Sequence, residues 1–421
     1  MTWLVHRTEL TVEQERATTL SPREHRVILG SPGSGKTMVL LHRARHLMDE
    51  HGISPERLRI FVFTRSLKEY IRSALDLLDL PDDSVLTFDA WCLDFYHEQI
   101  DKRTPWNAEL KQVDYDAVHQ AVWEKTRAFG ASDKRYDVVL VDEGQDLDAR
   151  AFEIMKAISQ HVTVCMDHKQ QLYETGAKED DILHALGLRR HNLSLLDAYR
   201  CSPYIVRVGA EFIREPAERA AFIEQHPPIK MARQMPLLYL ARDAEDEREH
   251  LIDVLRTRID KNERVAILFP TRRHVYGYAK ALQEAGLEVE VPSQGRRKTP
   301  PTIDFSTSLP KLMPYPSAKG LTFDAVLMPR LIPRFFDKVE PERLERWLFV
   351  GITRATQWIY FSTINANASL FIDRFQALAD SKQLSIKFSE DMLTTGGQET
   401  DERLAAAQAS DDGDDDLGDL F

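Results

Sequence analysis

Short apolar runs alternate along this chain with longer stretches in which apolar residues recur every three or four positions. The short runs predict buried strands, and the longer stretches predict helices. The predicted strands cover residues 27–29, 58–64, 85–88, 136–141, 162–167, 236–240, 265–269, 325–328 and 358–363. The predicted helices cover residues 66–79, 108–128, 244–259 and 341–350, with two more around Leu40 and Tyr278. This alternation is typical of an α/β fold with mostly parallel sheets.

A glycine-rich segment, Gly30-Ser31-Pro32-Gly33-Ser34-Gly35-Lys36-Thr37, links the first predicted strand to a helix. Glycines permit backbone conformations in which successive N–H groups point at phosphate oxygens, so the pattern predicts a phosphate-binding loop. Lys36 would reach the β- and γ-phosphates of a nucleotide, and the Thr37 hydroxyl suits Mg²⁺. An inert turn is the alternative, which the flanking strand and helix disfavour. The loop residues predicted to contact the nucleotide are Ser31, Gly33, Ser34, Gly35, Lys36 and Thr37.

Two carboxylates follow the strand predicted at 136–141. Asp142 and Glu143 thus lie at the carboxyl end of a strand, where α/β sheets place their ligands. Asp142 would hold Mg²⁺, and Glu143 would polarise the attacking water as a general base. An acidic pair can also cap a helix, but the phosphate loop upstream favours the catalytic interpretation.

Two glutamines are further candidates for nucleotide contact. Gln14 lies ahead of the phosphate loop, and its amide can both donate to and accept from the edge of adenine. A plain surface position is the alternative for Gln14, and the spacing before the loop favours the functional one. Gln170 follows the strand predicted at 162–167 and could sense the γ-phosphate.

The charge of the chain is acidic but unevenly distributed. The net charge is −12, and residues 399–421 carry −8 of it through nine acids and one arginine, so the rest of the chain carries −4. A mildly acidic body can bind DNA through a local basic groove. No apolar run is long enough to span a bilayer, no secretory signal is recognisable, and the three cysteines lack a CxxC spacing. We therefore expect a cytoplasmic protein without a membrane partner.

In their order along the chain, these motifs resemble those of the UvrD/Rep branch of superfamily 1 helicases, over nearly all of residues 10–362. The resemblance implies two RecA-like P-loop NTPase lobes, ATP and Mg²⁺ as ligands, and 3′ to 5′ movement on single-stranded DNA or at a junction with duplex. We expect lobe 1 over residues 1–198 with a small insert at 97–135, lobe 2 over 199–395, and a disordered acidic tail over 396–421.

The resemblance also implies roles for individual residues. Arg200 and Arg354 lie in motifs whose arginines contact the γ-phosphate, and such an arginine from a second lobe speeds phosphoryl transfer. Gln170 lies in the segment that resembles the coupling motif, and Gly320 lies in the segment Ser317-Ala318-Lys319-Gly320, which resembles a nucleotide motif. The residues that would contact nucleic acid are Phe63, Thr64, Arg65, Thr87, Trp91, Tyr173, Ser317 and Lys319.

Several positions depart from the family pattern. Thr322 stands where the family usually has glutamate, Pro316 stands where histidine is usual, and the tryptophan expected after Tyr173 is missing. The motifs that would bind the nucleotide thus match the family pattern, while those that would contact DNA depart from it. The spacing between motifs leaves no room for large accessory subdomains.

These observations leave three hypotheses. The first is an ATP-dependent translocase or helicase on single-stranded DNA. The second is a DNA-stimulated ATPase that serves as a sensor or regulatory subunit, for example beside a nuclease in antiviral defence. The third, a scaffold with a dead site, is disfavoured by the intact catalytic set. The tail residues 411–421 would bind a protein partner, solubilise the chain, or compete with DNA for a basic groove.

Overall fold

The computed structural model describes residues 3–31, 33–109, 111–167, 176–195, 202–224, 234–293, 302–337, 339–364 and 370–389. Within these residues there are fourteen strands. They are β1 (Arg26–Gly30), β2 (Leu58–Val62), β3 (Val85–Thr87), β4 (Trp106–Asn107), β5 (Gln112–Val113), β6 (Tyr136–Val141), β7 (Ser159–Met166), β8 (Leu193–Leu195), β9 (Leu237–Ala241), β10 (Val265–Phe269), β11 (Lys311–Pro314), β12 (Phe323–Met328), β13 (Ala355–Ile364) and β14 (Ser385–Phe388).

The same residues form thirteen α-helices, joined by short 3₁₀ turns. The helices are α1 (Val12–Thr18), α2 (Lys36–His51), α3 (Arg65–Arg72), α4 (Phe88–Gln99), α5 (Tyr115–Thr126), α6 (Ala149–Ile158), α7 (Glu179–Leu186), α8 (Pro203–Ala210), α9 (Pro216–Glu224), α10 (Ala244–Asp260), α11 (Arg272–Glu284), α12 (Pro341–Ile352) and α13 (Ile372–Asp380). None of these helices has the length and apolar character that a bilayer crossing requires.

The first sheet orders its six strands β3-β2-β6-β7-β1-β8, and every neighbouring pair is parallel. The carboxyl ends of β1, β2, β3, β6 and β7 therefore meet at one edge of the sheet. The glycine-rich loop follows β1 at this edge, and Asp142 follows β6. The topology thus brings together two segments that lie more than a hundred positions apart in sequence.

The second sheet orders its strands β11-β10-β12-β13-β9-β14 and is also parallel throughout. Apolar side chains cover both faces of each sheet, as fully buried parallel strands require. One apolar cluster continues from the first sheet into the second. The two sheets therefore share a packed boundary.

Gly320 lies at this boundary. Its φ of +77° is a conformation that side-chain-bearing residues rarely adopt, and a Cβ there would lie 2.7 Å from Cδ2 of Leu67 on α3. The close approach of Leu67 to the Gly320 backbone lets α3 pack directly against the second lobe.

The prediction of an α/β fold with two mostly parallel sheets is confirmed, and the predicted strands are all present within a few residues. The predicted helix 66–79 is wrong beyond Arg72. The Ser73 hydroxyl donates to the Tyr70 carbonyl, and the chain continues as a 3₁₀ turn over Leu75–Leu78. The helix predicted from 108 begins only at Tyr115, because Asp114 caps it, and the antiparallel hairpin β4–β5 precedes it.

A fully buried arginine links α2 to the end of α1 and to β7 through hydrogen bonds. Arg43 on α2 donates to the carbonyls of Thr18 and Leu20, at the end of α1, and to the hydroxyl of Thr163 on β7. Its Nη2 also lies 3.2 Å from Nε2 of His161, whose pKa is lowered by burial to about 3. The neutral imidazole can therefore accept from the guanidinium.

We expect Arg43→Ala to lower the free energy of unfolding by about 3 kcal/mol or more, because it leaves buried carbonyl and hydroxyl oxygens without donors. Urea unfolding measures this change. Arg45 is two positions along the same helix, where its ion pairs to Asp49 and Asp79 are solvent-exposed. Arg45→Ala is the matched control and should cost less than about 1 kcal/mol. Equal effects of the two substitutions would contradict the role given to Arg43.

Candidate functional site

The loop after β1 is shaped by its glycines. Gly33 and Gly35 have φ values of +77° and +85°. A Cβ on Gly30 would lie 2.5 Å from the Ser34 hydroxyl and 2.9 Å from Cγ of Lys36. The tight backbone curve delivers the chain to the start of α2 at Lys36, so the positive end of this helix faces the loop.

Lys36 is folded over its own loop. Its ammonium group donates to the carbonyls of Gly30 and Ser31, at 2.9 and 3.1 Å, and lies 3.6 Å from Oδ2 of Asp167. Within the described residues, the hydroxyls of Ser31 and Ser34 are buried without a hydrogen-bond partner. Buried donors in such a cradle suit phosphate oxygens as partners.

Thr37 and Asp142 form the next part of the site. The Thr37 hydroxyl donates to Oδ2 of Asp142 at 2.6 Å, and Asp142 is fully buried. Burial, followed by the charge of Glu143, raises the pKa of Asp142 to about 7. A divalent cation held by this hydroxyl and carboxylate would favour the ionised form, so the pair fits Mg²⁺ chemically.

Glu143 is held in an unusual backbone conformation. Its φ of +53° lies in the left-handed region, which costs free energy for a residue other than glycine. The next residue, Gly144, packs so closely on β7 that a Cβ would lie 2.4 Å from Cγ1 of Val164. Gln145 then donates to the Glu143 carboxylate and accepts from the backbone N–H of Asp167. The carboxylate is thereby fixed at the edge of the sheet.

Cations from both lobes act on Glu143. Burial raises the pKa of this carboxyl, but the charges of Lys319 and Lys36 oppose that effect. With Arg354 they hold the Glu143 pKa below its ordinary value. Glu143 is therefore ionised at neutral pH, as a general base must be.

The second lobe reaches the site through two cations. Lys319 pairs with Oδ2 of Asp146 at 2.5 Å, and the two side chains are 1% and 0% exposed. Arg354 is buried, and its guanidinium donates to the carbonyls of Val350 and Leu321. A cavity between the lobes is bordered by Arg354 on one side and by Lys36, Thr37 and Glu143 on the other; its described lining is Trp3, Gly33, Gly35, Lys36, Thr37, Met38, Tyr70, Glu143, Gly320, Thr322 and Arg354.

Gln14 lies under the phosphate loop. Its Oε1 accepts from the Thr11 backbone N–H at the start of α1, and its Nε2 donates to the Ser34 carbonyl at 2.9 Å. Each end of the amide thus has one partner and one remaining bonding position. Contact with adenine stays a prediction.

Three residues expected to contact nucleic acid are buried here. Trp91 is 5% exposed, stacks on Phe95, and donates to the Tyr136 hydroxyl, so a base could not stack on it without repacking. Thr87 caps α4, and Lys319 is paired with Asp146. Side-chain burial, which no local pattern revealed, separates these residues from the surface.

Other predicted DNA contacts lie nearer the surface. Phe63 and Ser317 are half-buried, Arg65 is exposed, and Thr64 caps α3. Helix α3 packs against the turn Tyr315–Ala318, so these residues border the same lobe boundary. Gln170, Tyr173 and Arg200 lie outside the described residues, as does the acidic tail.

Trp3 and Tyr70 also line the cavity, and the sequence motifs did not indicate them. Trp3 lies ahead of the first motif, and Tyr70 lies within the predicted helix 66–79, outside the motifs. A residue that lines a site through a tertiary contact has no signal in local spacing.

Comparison with known proteins finds a family match in the first lobe. The family model of the UvrD/REP helicase N-terminal domain matches residues 10–128. Over these residues, which lie within the first lobe, the chain is similar to UvrD/Rep-type helicases. It is 23% identical over 368 residues to the ATP-dependent DNA helicase HMI1, mitochondrial, of Saccharomyces cerevisiae, covering 66% of this chain and 51% of the yeast protein. The chain thus spans about half the length of that curated relative.

Among solved structures, the chain is similar to the C-terminal domain of a possible DNA helicase from Lactobacillus plantarum WCFS1. The sequences are 17% identical, and the match covers 45% of this chain and 98% of that domain with a TM-score of 0.32. This similarity is too low to support a structural argument.

The packing of Gly144 gives a test of how Glu143 is positioned. We expect Gly144→Ala to destabilise the protein by about 1–3 kcal/mol, because the new methyl group overlaps Val164. Adding Val164→Ala should recover part of this loss in urea unfolding. Gly277→Ala is the control, since a Cβ there meets no atom within 4 Å and the position is in the middle of α11. It should stabilise the protein by about 0.5–1 kcal/mol. A Gly144→Ala protein as stable as wild type would contradict this account of the turn.

Proposed function

We propose that this chain hydrolyses ATP in the cleft between its lobes and uses the cycle to move along single-stranded DNA, 3′ to 5′ as the resemblance implies. The observation that carries the proposal is the placement of Lys36, Thr37 and Glu143 opposite Arg354 across one cavity. The match to the UvrD/REP N-terminal domain and the name of the yeast relative agree with this activity.

The chemistry assigned to the site is transfer of the γ-phosphoryl group of ATP to water, in which the bond from the γ-phosphorus to the bridging oxygen breaks and ADP leaves. Glu143, ionised at neutral pH, takes a proton from the attacking water. Lys36 and Arg354 stabilise negative charge that develops on the phosphoryl oxygens. Thr37 and Asp142 would hold Mg²⁺, which would supply further positive charge beside the phosphates.

Coupling to DNA follows from the shared boundary. The residues that flank the cavity on the second lobe, Gly320 and Thr322, belong to the same segment as Ser317, a candidate DNA contact. On the first lobe, α3 carries Arg65 at its start and Leu67 against Gly320. A change in lobe spacing during the ATP cycle therefore moves candidate DNA contacts on both sides.

The alternative is a DNA-stimulated ATPase that acts as a sensor or regulatory subunit without unwinding of its own. The burial of Trp91, Thr87 and Lys319 favours it, because it removes three expected contacts from the groove. A protein partner at residues 411–421 and a nuclease partner remain proposals under either function. We propose the cytoplasm as the location, although the yeast relative is named mitochondrial.

ATP turnover with and without single-stranded DNA tests the proposal. We expect DNA to stimulate the wild-type rate, and Glu143→Gln to lower kcat about a thousandfold while ATP binding persists, because the amide cannot take a proton. Glu109→Gln is the control, since Glu109 is exposed on the insert.

Two results would contradict the proposal. The first is an unchanged rate in Glu143→Gln, and the second is a wild-type rate that does not respond to DNA. A strand-displacement assay then separates the two functions, because unwinding by the chain alone would exclude a sensor subunit that has no unwinding activity of its own.

A further inference from the structure

We infer that Trp3 and Tyr70 form the surface on which the base of the bound nucleotide stacks. This inference rests on the proposed function and adds a base-binding residue, Trp3, to it. The two rings are stacked, with centroids 4.4 Å apart and an interplanar angle of 17°, and the Trp3 indole N–H donates to the Tyr70 carbonyl. The pair, here called the aromatic step, is therefore held in a fixed orientation.

The position of the step is what a nucleotide requires. Trp3 and Tyr70 line the same cavity as Lys36, Thr37 and Glu143, and of its described lining residues only these two are aromatic. Both also line an adjoining cavity that extends along the second lobe past Phe305 and Thr322. A ligand whose phosphates lie at Lys36 can thus extend beyond the loop, and the aromatic step lies along that route.

Trp3 is the ring that offers surface to a ligand. Tyr70 is buried, with Trp3 against one face and Phe305 edge-on at 5.5 Å. Trp3 is only half-buried, and Tyr70 covers one face of its indole. The remaining surface of the indole borders the cavity, where a planar heteroaromatic base can stack.

Stacking on this step discriminates weakly between bases. Every base has a π-face, so any base can stack here, and the larger purines are favoured because they offer more contact area. The Gln14 amide, the candidate reader of the base edge, keeps one bonding position at each end beside its bonds to Thr11 and Ser34. The stacking contact therefore favours a purine nucleoside triphosphate, and it does not by itself separate adenine from guanine.

The step also touches the second lobe. The Tyr70 hydroxyl lies 3.5 Å from the Thr322 carbonyl, and Tyr70 contacts Phe305. A base stacked on Trp3 therefore adds to a contact that already joins the lobes. Binding of the base and closure of the lobes would act on the same residues.

Steady-state kinetics of the full chain tests the inference. We expect Trp3→Ala to raise the KM for ATP about tenfold, with kcat little changed because stacking is the same in ground and transition states. Trp3→Phe should keep most of the affinity, since it keeps an aromatic face. Trp106→Ala is the matched control, because Trp106 is 61% exposed on β4, in the insert.

Inorganic tripolyphosphate, used as a competitive inhibitor, separates stacking from a structural role. It has no base, so its inhibition constant should be the same for wild type and Trp3→Ala. A parallel rise in the tripolyphosphate constant, or an unchanged KM for ATP in Trp3→Ala, would overturn the inference while leaving the proposed function in place. A wild-type chain that hydrolyses no ATP would overturn the proposed function and this inference with it.

Discussion

The structure depends on one buried ion pair, between Lys319 of the second lobe and Asp146 of the first. Removing both charges from water is expensive, and only close approach and good geometry offset that cost. The pair therefore requires the lobes to meet closely where Gly320 passes Leu67. That contact in turn places Arg354 across the cavity from the phosphate loop. A buried charge left without its partner at this boundary would cost free energy. The ion pair therefore favours lobes in contact over lobes that are partly separated.

The same boundary sets the protonation of the acidic pair. Asp142 and Glu143 are neighbours, both buried, and like charges at this spacing push their pKa values apart. The pKa of Asp142 is raised, whereas nearby cations lower that of Glu143. Two of those cations, Lys319 and Arg354, belong to the second lobe. The pKa of Glu143, the proposed general base, thus depends in part on cations that the second lobe supplies.

Local patterns were sufficient for nine of the fourteen strands and for the glycine-rich turn from β1 into α2, because such segments have short-range signals. They missed the short strands β8, β11 and β14, which add to sheets through neighbours remote in sequence. They also placed Trp91 among the DNA contacts, whereas its ring packs in the core of the first lobe. Whether an aromatic residue at a strand end faces a groove or a core is decided by tertiary packing.

Arg354 provides the most direct test of the central claim that both lobes supply charge to one reaction. In single-turnover experiments with saturating ATP, Arg354→Ala should slow hydrolysis roughly a thousandfold, because an arginine that stabilises the transferring phosphoryl group acts chiefly in the transition state. Nucleotide affinity should change much less. The control is Arg23→Ala, an exposed arginine ahead of β1. A rate for Arg354→Ala equal to that of wild type would contradict the account, since the second lobe would then contribute nothing to the chemistry.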